Sequence, residues 1–300
     1  VSGEFVGILK SKQRLDSLYH LCAMTHSELR QSFYQALTST YLQGELLSLY
    51  HWCVEEIEGW SKSQAYLQND TAVSAESYER WKQVITRLKA NEPVQYIFNK
   101  ANFGDLELYV DSNVLIPRPE TEELVMLLLE NENENNLRVL DIGTGSGCIP
   151  LALKQKRKEW EVSACDISET ALGVAKRNSL DLGLNIEFFT ADIISAKVQL
   201  PLADVYISNP PYIPEIAKAD MHSNVMDHEP HLALFAPAED PLAFYKRIAL
   251  MALKNSAKSV YFETHATNME LFKNEMAQIW KGTITVRKDM VGKERFVILK

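Results

Sequence analysis

The stretch that most limits how this chain can fold runs from Val205 to Ile213, Val-Tyr-Ile-Ser-Asn-Pro-Pro-Tyr-Ile. Its first four residues form a β-branched and aromatic run preceded by Asp204, the pattern of a buried parallel strand, and the run stops at two consecutive prolines. Proline donates no ladder hydrogen bond and holds φ near one value, so the backbone after Asn209 is stiff and its carbonyls face outward. In open α/β sheets, ligands bind outside the carboxyl ends of the strands. Asn209 is therefore expected to offer an amide oxygen, Pro210 a backbone carbonyl and Tyr212 a flat ring beside a ligand crevice. Such a set suits a planar NH2 group.

A second motif supplies a partner for that element. Asp141-Ile142-Gly143-Thr144-Gly145-Ser146-Gly147 falls between an expected strand and an expected helix, where glycines permit a tight turn and close approach of a ligand to the backbone. It is not a phosphate-binding P-loop, because no Lys-Ser or Lys-Thr follows, and its G-x-G-x-G spacing departs from the dinucleotide G-x-G-x-x-G. Asp166 closes the next expected strand at about the distance of a ribose-binding acid. Together they point to an adenosine-type cofactor; a packing turn with an acidic loop residue is the bland alternative.

Composition narrows the partners. The 300 residues, 46% of them hydrophobic, can bury one large domain and a smaller one. No apolar run is long enough for a bilayer and the N-terminus lacks a charged-then-apolar signal pattern, so a cytoplasmic location without membrane contact is expected. A net charge of -9 lacks the cationic excess of a protein that tracks nucleic-acid phosphates. The densest basic run, Lys154 to Lys158, reads as a solvated helix end. Cys22, Cys53, Cys148 and Cys165 form no C-x-x-C pair and read as reduced thiols. His222, His228 and His231 are spaced too irregularly for zinc, and no metal is expected.

Taken in order, residues 1–23 carry little pattern and read as an N-terminal extension. Residues 24–90 have helical periodicity, with Leu29, Phe33 and Leu37 on one face, then Leu46, Leu49, Tyr50 and Ile57, then Tyr78, Trp81, Ile85 and Leu88. This is a small helical bundle, in which Trp52, Trp60, Tyr66 and Trp81 are either core or partner anchors. Residues 91–114 form a connector, where Val94 to Val110 alternates as a β-hairpin around Gly104-Asp105. From 115 to 300 strand and helix alternate, implying a mostly parallel sheet covered on both faces. Strands are expected at Arg138–Ile142, Glu161–Asp166, Ile186–Thr190, Val205–Ser208 and Ser259–Glu263. Helices are expected near Glu120–Glu130 and Asn268–Trp280. Thr283–Arg287 and Phe296–Leu299 would close the sheet as a hairpin, its last strand antiparallel.

The order D-x-G-x-G-x-G, strand-end Asp, Asn-Pro-Pro-Tyr resembles the S-adenosylmethionine-dependent methyltransferases that act on amide or exocyclic amine nitrogen. Within them the chain is similar to the HemK-type protein-(glutamine-N5) methyltransferases. The likeness is carried by Leu115–Glu123 (Leu-Ile-Pro-Arg-Pro-Glu-Thr-Glu-Glu), Asn209–Ile213, His228–Phe235 (His-Glu-Pro-His-Leu-Ala-Leu-Phe) and the tail Asp289–Val297. The resemblance implies a Rossmann-like class I methyltransferase sheet behind an N-terminal helical bundle. It implies S-adenosyl-L-methionine as cofactor, and as substrate the glutamine in the Gly-Gly-Gln loop of peptide chain release factors, which the bundle would dock. It places the cofactor along Gly143, Thr144, Gly145, Ser146 and Gly147, with the ribose on Asp166 and the adenine near Asp192 and Ile193. Ile193 stands where many relatives carry an aromatic. Phe103 falls where the family has an aromatic near the cofactor methyl, although as a residue it also reads as hairpin core. Asn209 and Pro210 would each accept one N–H of the substrate amide, with Pro211 and Tyr212 packing beside it.

Such a site must work by alignment. An amide lone pair is delocalised, as its rotational barrier of roughly 18–20 kcal/mol indicates. Two hydrogen bonds of about 4–6 kcal/mol each in a dry site repay only part of that, whereas orientation can contribute about 7–11 kcal/mol. No general base is required beforehand, since the alkylated nitrogen is acidic enough to lose its proton to water. Two rival readings are an adenine amine methyltransferase acting on flipped DNA or RNA bases and a cofactor-binding interaction protein without chemistry. A monomer acting on protein, with no direct nucleic-acid contact, is expected.

Overall fold

The computed structural model describes residues 24–214, 218, 223–264 and 269–300. The expected extension at 1–23, with Cys22, and also His222, lie outside the described residues. The chain forms two compact units, one ending at Phe98 and one beginning at Asn99.

The first unit is helical: α1 (His26–Leu37), α2 (Gln43–Glu58), α3 (Lys62–Leu67), α4 (Ala75–Lys89) and α5 (Val94–Phe98). Thr25 with Glu28, and Ser61 with Gln64, close reciprocal capping boxes that satisfy the first free N–H groups of α1 and α3. Phe33, Tyr50 and Trp81 form the aromatic centre, with Tyr50 and Trp81 stacked at 5.6 Å and Phe33 edge-on to Trp81 at 5.8 Å. The Trp81 indole N–H donates to Glu58 at 2.7 Å. Trp81 is thus core, Trp52 and Trp60 pack partly buried against it, and Tyr66 is exposed. Val84 is buried and Ile85 packs partly buried against the same core, whereas Tyr78, also expected there, is exposed. The hairpin does not begin at Val94: α5 occupies that alternation, started by Pro93, whose carbonyl accepts from Tyr96 and Ile97. Arg87 caps its end by donating to the Ile97 carbonyl at 3.1 Å. Local capping overrides a two-residue period in so short a run.

The second unit opens with the hairpin β1 (Ala101–Phe103) and β2 (Leu106–Leu108), paired Phe103 to Leu106 across Gly104. It continues with α6 (Pro119–Asn131), β3 (Arg138–Ile142), α7 (Cys148–Lys156), β4 (Glu161–Asp166), α8 (Glu169–Asp181), β5 (Glu187–Thr190) and β6 (Val205–Ser208). Then come α9 (Ser223–Met226), α10 (His231–Leu234), α11 (Ala243–Lys254), β7 (Ser259–Glu263), α12 (Met269–Ile279), β8 (Ile284–Lys288) and β9 (Glu294–Leu299). The seven-stranded sheet runs β5-β4-β3-β6-β7-β9-β8, parallel except for β9, which is antiparallel to both neighbours. Both faces are covered, because successive residues of each central strand are apolar. Val139, Val162, Val205 and Ile207 pack with α6 and α7, while Leu140, Ile142, Tyr206 and Phe262 pack with α11 and α12. The basic run at Lys154 to Lys158 ends α7, where Lys154 donates to the carbonyls of Lys158 and Trp160. Cys53, Cys148 and Cys165 are buried free thiols.

Strand order reverses between β3 and β6, so the loops after these strands diverge and leave a crevice at their carboxyl ends. Gly147 fixes how α7 leaves the glycine loop. Its φ of 81° begins α7, and a Cβ there would lie 3.1 Å from the Cβ of Ala175 on α8. Gly147→Ala is therefore expected to destabilise the protein by about 1–3 kcal/mol through strain and overpacking. Thermal denaturation checks this; an unchanged Tm would mean that α7 and α8 can part freely.

Candidate active site

The crevice is a cavity of about 250 Å³ whose walls include Gly143, Gly145, Asp166, Asp192, Ile193, Asn209, Pro210 and Pro211. The two motifs picked from the sequence thus meet at one place. Asp166 is fixed by two backbone donors, Gly145 N–H at 2.9 Å to one oxygen and Ser168 N–H at 2.9 Å to the other. Burial raises its pKa while those N–H groups act in the opposite direction. Asp192 is exposed and accepts from the Ile194 N–H at 3.0 Å. Arg247 on α11 holds this wall by donating to the carbonyls of Ile193 at 3.1 Å and Ser195 at 2.9 Å.

The other expected site residues stand behind these walls and not in them. Thr144 and Ser146 turn inward, their hydroxyls buried without hydrogen-bond partners among the described residues. Gly147 packs against α8. Phe103 is buried in the core with Leu106, Leu108 and Leu124. Tyr212 is half-buried against the layer that contains Tyr245 and Phe262, and burial pushes its hydroxyl up to about 12.

Sequence reasoning assigned no individual role to Arg118 or Thr121, which organise these walls from the start of α6. The Thr121 hydroxyl donates to Glu263 Oε2 at 2.7 Å and accepts from Asn209 Nδ2 at 3.1 Å. Arg118 Nη2 donates to both oxygens of Glu229 at 2.7 Å. Glu120 lies 3.9 Å from Arg295, and Glu123 accepts from the Met290 N–H at 3.0 Å. Loop 228–235 is held in turn by Glu229, lends Pro230, Leu232 and Ala233 to the cavity, and bridges Phe235 to Ile213 beyond the prolines. Thr121 lies between glutamates in a helix start, where a threonine reads as an ordinary surface residue; only its burial marks it out. Asn178 on α8 ties the glycine loop to the connector, donating to the carbonyls of Ser146 at 2.9 Å and Tyr109 at 3.0 Å.

Two acids carry unusual protonation. Asp141, at the end of β3, is fully buried, and neither of its oxygens has a hydrogen bond among the described residues. Burial pushes it up to about 7, aided by the charge of Asp166 and opposed by the nearby Thr144 side chain. Glu263 is likewise raised to about 7 by burial, against the pull of Thr121 and Arg295. His231 bonds the Met226 carbonyl at 2.9 Å and packs on Phe235. Among the described residues no group of three His, Cys, Asp or Glu side chains could hold a metal, and no helix is long and apolar enough to cross a membrane.

Known proteins resemble the chain on both units. The profile of the methyltransferase small domain matches residues 121–232, and that of the PrmC N-terminal domain matches residues 28–98. The release factor glutamine methyltransferase of Flavobacterium psychrophilum is 34% identical over 277 residues, 89% of this chain and 96% of that protein. Its namesake from Bacteroides thetaiotaomicron is 40% identical over 268 residues, 88% of this chain and 95% of that protein. Among solved structures, the hMettl16 catalytic domain in complex with the MAT2A 3′UTR hairpin 6 has a TM-score of 0.52 at 20% identity. It covers 70% of this chain and 80% of that one, a likeness of fold alone. With such identity across nearly the whole length of both relatives, the chain belongs to the release factor glutamine methyltransferase family.

Proposed function

We propose that this protein transfers a methyl group from S-adenosyl-L-methionine to the side-chain amide nitrogen of the glutamine in the Gly-Gly-Gln loop of peptide chain release factors. The observation that carries this reading is the placement of Asn209 and Pro210 in the same cavity wall system as Gly143, Gly145 and Asp166. One side offers acceptors for a carboxamide; the other offers a nucleoside site.

The residues present fit such a cofactor. Asp166 would hold the ribose hydroxyls, and the wall at Ala191, Asp192, Ile193 and Ile194 would flank the adenine. Gly143 and Gly145, both with positive φ, leave the wall without side chains for the methionine part. Below them Asp141 and the hydroxyls of Thr144 and Ser146 are buried polar atoms lacking partners among the described residues, a cost a cationic ligand would relieve. When bound, the cofactor supplies an electrophilic methyl carbon on a positively charged sulfur. Asn209 Oδ1 and the Pro210 carbonyl would each accept one N–H of the glutamine amide, orienting its nitrogen and localising its lone pair. Pro211 and Tyr212 would support the glutamine's hydrocarbon, and Phe103 would stiffen the connector from within its core. Neither Asn209 nor Pro210 moves a proton.

Residues 24–90 would dock the release factor, 91–114 connect, and 115–300 carry the chemistry. The protein is read as a cytoplasmic monomer acting on protein; a net charge of -9 supports a partner other than nucleic acid.

Label from S-adenosylmethionine is expected on the glutamine of a release factor; label in DNA or RNA but not in that protein would reverse the reading. Asn209→Ala should lower kcat about 100–1,000-fold, as removal of one preorganised hydrogen-bonding group does elsewhere, with cofactor affinity largely kept. Unchanged turnover would remove Asn209 from the mechanism. Asp141 gives a pH signature. Its raised pKa means that folding takes up a proton, so stability is lost as pH rises from the ordinary carboxylate range through about 7. Asp141→Asn should therefore gain about 1–3 kcal/mol over the native chain near pH 8 and little near pH 4, while weakening cofactor binding. A lower Tm for the variant near pH 8 would contradict this.

A further inference from the structure

Resting on that role for Asn209, we infer that Thr121 and Glu263 are positioning residues. Together they fix which end of the Asn209 carboxamide faces the cavity, and protonation of Glu263 reverses it. Thr121 has one hydroxyl proton. It is committed to Glu263 Oε2 at 2.7 Å, so only lone pairs remain for Asn209, which must present its NH2 to Thr121 at 3.1 Å. The Asn209 oxygen is then the end left for a substrate N–H. Asparagine nitrogen and oxygen are nearly the same size, so shape alone does not choose between the two orientations; the hydrogen-bond chain does.

A protonated Glu263 can donate to the Thr121 oxygen. The threonine proton then turns to Asn209, where only the carboxamide oxygen can receive it, and the amide rotates by half a turn. Its NH2 now faces the substrate's NH2, donor against donor. The groups facing Glu263 are Arg118 and Glu120 at the start of α6, Arg295 on β9, Tyr212 after β6, Tyr245 on α11 and Cys148 on α7. Burial outweighs the two arginines, and Glu263 is raised to about 7, so the switch falls near neutral pH. The geometry would place Thr121 and Glu263 in the chain whatever their ionisation; the burial sets the pH at which it acts.

The test uses the full-length protein, a release factor as substrate, and Thr121→Val, Thr121→Ser and Glu263→Gln. Thr121→Val, which keeps the shape but not the hydroxyl, should lower kcat about 10–100-fold with cofactor affinity unchanged, and Thr121→Ser should recover most of that loss. Native kcat should fall as pH drops through about 7, and Glu263→Gln should remove that limb, whichever way its own amide settles. A Thr121→Val enzyme with native kcat, or a Glu263→Gln enzyme with the native pH limb, overturns the inference. A second readout needs no turnover: the Asn209 side-chain amide protons, assigned by their loss in Asn209→Ala, should exchange slowly with solvent above neutral pH and rapidly in Thr121→Val. Equal exchange in both overturns it too. If the native enzyme leaves the release-factor glutamine unmodified, the functional reading fails by itself and amide exchange still decides on the relay.

Discussion

Arg118 and Glu229 hold the site together. The guanidinium reaches both oxygens of a carboxylate that is almost wholly withdrawn from solvent. A carboxylate buried to that degree is tolerated only while its partner stays. Burial raises the Glu229 pKa and Arg118 opposes it. The pair joins two stretches 111 residues apart in sequence, the start of α6 and the loop that carries Pro230, Leu232 and Ala233 into the cavity. Glu120, Thr121 and Glu123, one turn further on, reach Arg295, Asn209 with Glu263, and the Met290 N–H. The first turn of α6 therefore touches each of the other stretches that mark the family. Proline at its first helical position fixes the direction in which these side chains leave the backbone.

That hub also explains which parts of the structure could be read from sequence. The central strands β3, β4, β6 and β7 fall where apolar runs and strand-end acids indicate, because a strand buried on both faces leaves an unbroken signal. The α5 helix was hidden because five residues of mixed apolar character satisfy either period, and the deciding contacts come from Pro93 and Arg87. The cavity walls at Gly143, Gly145, Asp166 and Asn209 were legible because glycine, a strand-end carboxylate and Asn-Pro-Pro each restrict the backbone locally. Thr121 and Arg118 were not, since Thr121 acts through Glu263 and Asn209, 142 and 88 positions away, and Arg118 through Glu229, 111 positions away. No local pattern encodes such distances. Phe103 shows the reverse: an aromatic marked by resemblance lies in a core that its own strand pattern also indicates.

Stability and chemistry pull in different directions around the crevice. Asp141 and Glu263 are carboxyls that burial alone would neutralise, and Asp141 has no hydrogen bond among the described residues to offset its cost. On the proposed reading, a methyl donor with a positive centre would give such a charge a use, and a carboxamide substrate would give one to the acceptors beyond the strand end. Neither would need a catalytic base or a metal. The protein's contribution would be to keep acceptors, backbone carbonyl and carboxylates in fixed directions.

The most direct measurement of this account is amide hydrogen exchange on Arg118→Met compared with the native protein. Loss of the guanidinium should speed exchange at Ile213 and Ala236, whose N–H groups bond across to the Leu234 and Ile213 carbonyls at 3.0 Å, while the β3 and β4 amides keep their protection. Unchanged exchange at those two amides would mean that the loop is held without Arg118, and that the first turn of α6 is not the fastening point of the site.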